Sequence, residues 1–281
     1  MDVSIIIVSW KVKDKLRANL AALLPSLANI DAEVWVVDNN SQDGTIEMLK
    51  MEFPQVQLIA NRHNAGFAKA NNQALRRASG DYILLLNPDM KVFPETISGM
   101  LSWAQTHPQA VVSGCRLITD TGDLLPHVRR FPRLRDQLAV VLKLPHLLPH
   151  ILDDYLQVNF NYNQAALVDS IRGAFFMINR SAWRELTGAE KPFLDERYFI
   201  WFEEVDFCRQ VYENGGEVWY TPTVKCVDYV GQSFGQVKVP AKQRYFQDSM
   251  LAYFQKWQPR WHYVILRSFW PLGRLLAKIF A

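Results

Sequence analysis

The stretch Tyr82-Ile83-Leu84-Leu85-Leu86-Asn87-Pro88-Asp89 decides the fold of this chain. Five consecutive apolar positions without alternation predict a strand buried on both faces. Three turn formers then carry the backbone out of the core, leaving Asp89 at the carboxyl end of the strand. Toward the N-terminus, three similar short runs precede it: Ser4–Val8, Val34–Val37 and Val56–Ile59. Between them the apolar residues change to helical spacing, at Leu16, Leu20, Leu23, Leu24 and Leu27, and again at Phe67, Ala70, Ala74, Leu75 and Ala78 before Gly80. Asp43-Gly44-Thr45 opens a shorter helix that ends near Phe53. Apolar strands alternating with helices predict an α/β fold with a mostly parallel, Rossmann-like sheet flanked by helices.

The remaining sequence bounds that reading. At 281 residues and 32.5 kDa the chain is long enough for one large domain, or one domain with an appendage. A hydrophobic share of 49% with 21% charged residues excludes a disordered or collagenous chain. Cys115, Cys208 and Cys226 form no CxxC pair, which argues against a disulfide framework or zinc cluster and for a reducing compartment. Val3–Val8 is too short for a signal peptide, and Lys143, Pro145, His146 and Pro149 break the apolar run Leu138–Leu152. A soluble body facing the cytoplasm is expected. Residues 127–165 show no period and receive no assignment.

Two carboxylates, Asp38 after Val34–Val37 and Asp89 after Tyr82–Leu86, leave strands at the edge where parallel sheets bind ligands. Neither GxGxxG nor GxxxxGK[ST] occurs, which removes the dinucleotide and P-loop readings. Asn87 and Asp89, two residues apart on an extended turn, can approach one divalent cation; Mg²⁺ favours few protein carboxylates plus phosphate oxygens. A second segment, Phe193–Arg209, sets Glu203, Glu204 and Asp206 directly after a largely aromatic run. Low surrounding polarity raises a carboxylate's pKa and makes it a better base. Complementing a helix dipole would explain Glu203 alone, but not the cluster.

Seven segments in order carry a resemblance: SIIIVSWK (4–11), VWVVDNNSQDGT (34–45), NRHNAGFAKANNQAL (61–75), GDYILLLNPD (80–89), VDSIRGAFFMINRSAW (168–183), FLDERYFIWFEEVDFCRQ (193–210) and NGGEVWYTP (214–222). Together they resemble glycosyltransferase family 2, the inverting GT-A enzymes, and especially its rhamnosyltransferase-like bacterial branch. The resemblance implies a GT-A fold in which Val8, Ser9 and Trp10 line the nucleotide base and Asp38 accepts a hydrogen bond from it. Asn64, Gly66 and Phe67 would sit beside the nucleotide and sugar. Asp89, with Asn87, would hold Mg²⁺ or Mn²⁺ on the donor diphosphate. Gly173, Ala174 and Glu203 would lie on the acceptor side, and Glu204 would be the catalytic base, with Asp206 as fallback.

The chain departs from the family twice. The family's Glu-Asp is Glu203-Glu204, one methylene longer. The family's metal-binding His, six residues after Pro222, is Asp228, another hard ligand, with Gly231 and Ser233 continuing the motif. The implied reaction moves a sugar from a nucleoside diphosphate donor to a hydroxyl of a cell-surface glycan or lipid-linked acceptor. Rhamnose from dTDP-rhamnose is the best match; hexose, galactofuranose and N-acetylhexosamine are the other donors. The rival is a non-catalytic nucleotide-sugar-binding subunit.

The net charge of +3 hides an asymmetry. Residues 249–281 hold five basic side chains and no acidic one, so residues 1–248 carry −2. In 257–281, Arg260, Arg267, Arg274 and Lys278 fall on one line of a helix. Trp261, Val264, Ile265, Phe269, Leu272, Leu275, Leu276, Ile279 and Phe280 take up much of the rest. Pro271 is expected to kink or split this helix. A basic amphipathic helix on an anionic membrane surface fits this pattern better than nucleic acid does; a helix packed on the body with solvated arginines is the alternative. The expected organisation is a GT-A domain over 1–235 and a C-terminal helical extension over 236–281. The protein would be peripheral on the inner face of the plasma membrane, within reach of a polyprenyl-linked acceptor.

Overall fold

The computed structural model describes residues 1–229, 231, 235 and 237–279. Ser233 and Phe280 lie outside the described residues, as do the side chains of Lys278 and Ile279. Strands β1 (Val3–Ser9), β2 (Ala32–Asp38), β3 (Gln57–Ala60) and β4 (Tyr82–Leu86) run parallel in the order β3-β2-β1-β4. Helices α1 (Lys13–Ser26), α2 (Thr45–Glu52) and α3 (Phe67–Leu75) connect them. The helically spaced residues face the sheet: Leu16, Leu20, Leu23, Ala70 and Ala74 are fully buried. β3 starts one residue later than its sequence predicts because the Val56 N–H closes a turn onto the Phe53 carbonyl. After β3 the chain crosses to the far side of β1, so the strand order switches between β1 and β4. At such a switch the loops part and leave a crevice.

The second half of the sheet is mixed, and here the mostly parallel expectation gives way. β5 (Met90–Val92), α4 (Thr96–Thr106) and β6 (Ala110–Ile118) follow β4, and β7 is Ala166–Leu167. β8 (Phe175–Asn179) begins beside the end of β4, with Leu86 opposite Phe175, and so must run back antiparallel between β4 and β6. After α7 (Arg180–Thr187) and α8 (Glu203–Glu213), β9 (Glu217–Asp228) pairs parallel with β6, while β5 and β7 add antiparallel on its other side. The unassigned segment 127–165 contains α5 (Leu134–Val141), a 3₁₀ turn at Leu144–His146 and α6 (Asp153–Leu156). These pieces are too short to impose a period.

Two C-terminal helices complete the chain, α9 (Val239–Trp257) and α10 (Arg260–Ile279). Tyr198, Phe202, Met250, Tyr253, Phe254, Leu266, Trp270 and Val141 form one buried cluster. The boundary expected at residue 235 therefore passes through a shared core. α10 is not split at Pro271: Trp270 and Gly273, on either side of it, are both buried against the body. A Cβ on Gly273 would stand 2.7 Å from the Val141 carbonyl oxygen, so only glycine lets the helix come this close. No helix among the described residues is long and apolar enough to cross a membrane.

Candidate active site

The carboxyl ends of β1 and β4 open into a cleft of about 750 Å³. Val8, Trp10, Asn64, Gly66, Phe67, Asn87 and Asp89 line one part of it, and Gly173, Ala174, Glu203, Glu204 and Asp228 another. Gly66 has φ +87°, and the Phe67 N–H after it donates to the Phe199 carbonyl at 2.7 Å. A Cβ at 66 would itself lie 2.7 Å from that oxygen, so glycine is what lets α3 touch the aromatic loop before α8.

Ser9 and Asp38 sit behind this wall, paired in register at the ends of β1 and β2, and neither lines the cleft. Asp38 Oδ2 accepts the Ser41 N–H at 3.1 Å. Its Oδ1 and Ser9 Oγ are buried without a hydrogen-bond partner among the described residues. Burial raises the Asp38 pKa. Asn39 lines the cleft next to them and is fixed by donating to the Gly66 carbonyl and accepting from Asn61.

Asp89, in the turn just before β5, lies beside Asp228 at the end of β9. Met90 pairs with Asp228 in register, and the Tyr229 N–H donates to the Asp89 carbonyl at 3.1 Å. Both side chains are nearly buried. Asn87 is held from both sides, its N–H on the Ala174 carbonyl and its carbonyl on Asn19 Nδ2. Among the described residues no group of three or more His, Cys, Asp or Glu could enclose a metal ion. Two hard carboxylates in one cleft fit a Mg²⁺ or Mn²⁺ that takes most of its oxygens from phosphate and water.

The opposite wall is built on strain. Trp201 and Phe202 have φ +64° and +70°, a conformation that costs bulky residues about 1–3 kcal/mol each. α9 secures this turn: Ser249 Oγ donates to the Ile200 carbonyl at 2.8 Å, Phe199 stacks on Tyr245 at 4.5 Å, and Phe202 packs on Tyr253. The result sets Glu203 and Glu204 in the first turn of α8. Gly173 has no side chain to hold Glu204 off, whose Cβ is 3.4 Å from where a Cβ at 173 would lie. Each glutamate has an Oε2 that is buried without a hydrogen-bond partner among the described residues. Burial, then the charge of Glu204, push the Glu203 pKa well up. Burial also raises Glu204, against the pull of its own backbone and of the Arg172 charge.

Asp206 is a correction to the sequence reading. It does not line the cleft and is fully buried. Its oxygens accept from Tyr198 OH, Gln210 Nε2, Lys256 Nζ and Trp257 Nε1 at 2.6–3.0 Å. Two of those donors belong to α9, so this carboxylate clamps α8 to α9 and is not placed to serve as a fallback base. Sequence reasoning also missed lining residues. Tyr245 and Val237 gave no signal, while Arg172, a lone cation directly before Gly173-Ala174, offered one.

The family model for glycosyl transferase family 2 matches residues 4–186, about two thirds of the chain. The chain belongs to glycosyl transferase family 2. It is therefore a glycosyltransferase, with the matched segment running from β1 into α7. An N-acetylglucosaminyl-diphospho-decaprenol L-rhamnosyltransferase of Mycobacterium tuberculosis is 25% identical over 215 residues, 72% of this chain and 68% of that protein. Rhamnosyltransferase WbbL of Escherichia coli K12 is 24% identical over 243 residues, 81% of this chain and 83% of that protein. Among solved structures, mannosyltransferase PcManGT of Pyrobaculum calidifontis, in complex with GDP-Man and Mn²⁺, superposes with a TM-score of 0.58 at 17% identity. That match covers 97% of this chain and 73% of PcManGT, and shows that this family 2 chain has the GT-A architecture.

Proposed function

We propose that this glycosyltransferase is metal-dependent and inverting, and that it moves a sugar from a nucleoside diphosphate to a hydroxyl of a cell-surface glycan or lipid-linked acceptor. One observation carries this reading: a single cleft has a buried glutamate, Glu204, on one wall and the Asp89–Asp228 carboxylates on another. Val8 and Trp10 would line the base, with Ser9 and Asp38, buried behind them, holding that wall in place. Asn64, Gly66 and Phe67 would flank the ribose and sugar. Asp89 and Asp228, with Asn87, would hold Mg²⁺ or Mn²⁺. The cation, when bound, offsets charge developing on the leaving diphosphate.

Glu204 would take the proton of the acceptor hydroxyl as its oxygen attacks the anomeric carbon opposite the diphosphate, so the configuration inverts. Burial and the neighbouring charge push the Glu203 pKa well up, while the Arg172 charge pulls against the rise at Glu204, which favours Glu204 as the ionised member of the pair. The names of two relatives favour rhamnose, with dTDP-rhamnose as donor, and the PcManGT complex keeps hexose donors in the screen.

The acceptor reading extends to the membrane. α10 docks one face, Leu266 and Trp270, on the body, yet Trp261, Val264, Leu272 and Leu275 on its other side are exposed. Arg260, Arg267 and Arg274 flank that second stripe, and no acidic residue follows Asp248. A basic, apolar-striped helix suits the surface of an anionic bilayer and a polyprenyl-linked acceptor, on the cytoplasmic side and without nucleic acid.

The test is a panel of nucleotide sugars screened for thermal stabilisation with Mn²⁺ and with EDTA, followed by transfer assays. Binding of the right donor raises the melting temperature by mass action. Glu204→Gln should keep that stabilisation and lower kcat by ~10³-fold. Undiminished transfer by this variant would remove Glu204 from the role of base.

A further inference from the structure

Four carboxylates line the cleft, Asp89, Glu203, Glu204 and Asp228, and the ligand proposed for it is itself an anion. Among the described lining residues Arg172 is the one Lys or Arg. Its Nη1 donates to Asp228 Oδ2 at 2.9 Å, and among the described residues that is the guanidinium's one hydrogen bond. Asp228 is almost buried and fixed in β9, so it orients the guanidinium without using up its N–H groups. Through Asp228, Arg172 stands next to the turn that carries Asp89; through Gly173 it stands next to Glu204. The Arg172 charge also reaches Glu204, whose pKa it pulls down.

We propose that Arg172 is a catalytic residue of the transfer reaction, its guanidinium held by Asp228 so that its remaining N–H groups bind the donor diphosphate. This rests on the glycosyltransfer reading above and deepens it. A planar fork of N–H donors matches phosphate oxygens two at a time, which a lysine ammonium cannot do. The arginine therefore gives the cleft a permanent cation. Diphosphate recognition is divided between this residue and a divalent ion that arrives with the donor. Asp228, paired to Arg172, acts as a positioning residue as well as a ligand for the metal.

The experiment measures binding, so that it does not depend on turnover. Affinities of UDP, GDP, CDP and dTDP, each beside its own nucleoside, are determined by calorimetry for wild type, Arg172→Gln, Arg172→Lys and Asp228→Asn, in EDTA and in Mn²⁺. In EDTA the preferred diphosphate should bind wild type more tightly than its nucleoside. Arg172→Gln should cut diphosphate affinity by about tenfold, the scale of a lost hydrogen bond to a charged group, and leave the nucleoside unchanged. Arg172→Lys should restore only part. Equal diphosphate affinity for Arg172→Gln and wild type in EDTA overturns the proposal. So does a loss seen only with Mn²⁺ and reproduced by Asp228→Asn, since Arg172 would then merely hold a metal ligand. If no nucleotide binds wild type in either condition, the donor reading fails first, and Arg172 falls with it.

Discussion

Glu203 and Glu204 show how two adjacent, chemically identical side chains acquire different work. Both line the cleft at the start of α8, and at position 203 burial with a neighbouring charge pushes the pKa well up. An unfolded glutamate ionises near ~4.3. Above that pH the folded chain holds a proton that the unfolded chain has released, so stability falls as pH rises toward the folded pKa. Glu203→Gln, which mimics the protonated form, should therefore raise the melting temperature at pH 7.5 and leave it unchanged near pH 4; a stabilisation equal at both values would disprove the assignment. Glu204 is raised too, so the acid limb of kcat/KM should lie above the ordinary glutamate range, and Glu203→Gln should leave that limb in place. The sequence made both residues visible as candidates. The family resemblance divided their roles, but local pattern gave no physical reason for the division, because the surroundings that distinguish the two include Gly173 and Arg172, some thirty residues away.

At the scale of elements, the loop 198–202 and helix α9 form one device. Trp201 and Phe202 hold left-handed backbone angles, and the strain is offset by packing on Tyr253 and the hydrogen bond from Ser249. Asp206 closes the device by binding Lys256 and Trp257. Asp206→Ala leaves buried donors without an acceptor and should cost about 3–5 kcal/mol in denaturant unfolding. Limited proteolysis should then cut first in α9 or its flanks. If the variant instead keeps full stability and loses only kcat, Asp206 belongs to the chemistry after all. β1 to β4 were legible because each is an apolar run bounded by turn residues, and their helices repeat at 3.6. α5 and α6 were not, since helices of eight and four residues, separated by a stretch with Pro145 and Pro149, carry too few turns to show a face.

For the whole molecule the distribution of charge mattered more than its sum. The acidic part of the chain carries the four cleft carboxylates, and the basic tail forms α10. That tail packs on the body through Leu266 and Trp270, and still exposes a second apolar stripe. Changing Trp261, Val264, Leu272 and Leu275 together to Ser should abolish flotation with anionic vesicles and shift stability by no more than about 0.5 kcal/mol per exposed site. Unchanged flotation would end the membrane reading. The sequence by itself determined the parallel half of the sheet and the cleft edge that carries Asp89, because buried strands and turn exits are written in local pattern; most of the other lining residues were named through the family resemblance. Tertiary structure alone decided the rest: that β8 runs backward, that Asp206 is a clamp, that Arg172 meets Asp228, and that α9 supports the glutamate-bearing turn. Those outcomes depend on contacts between segments tens of residues apart, and no local periodicity encodes which distant side chain will be the partner.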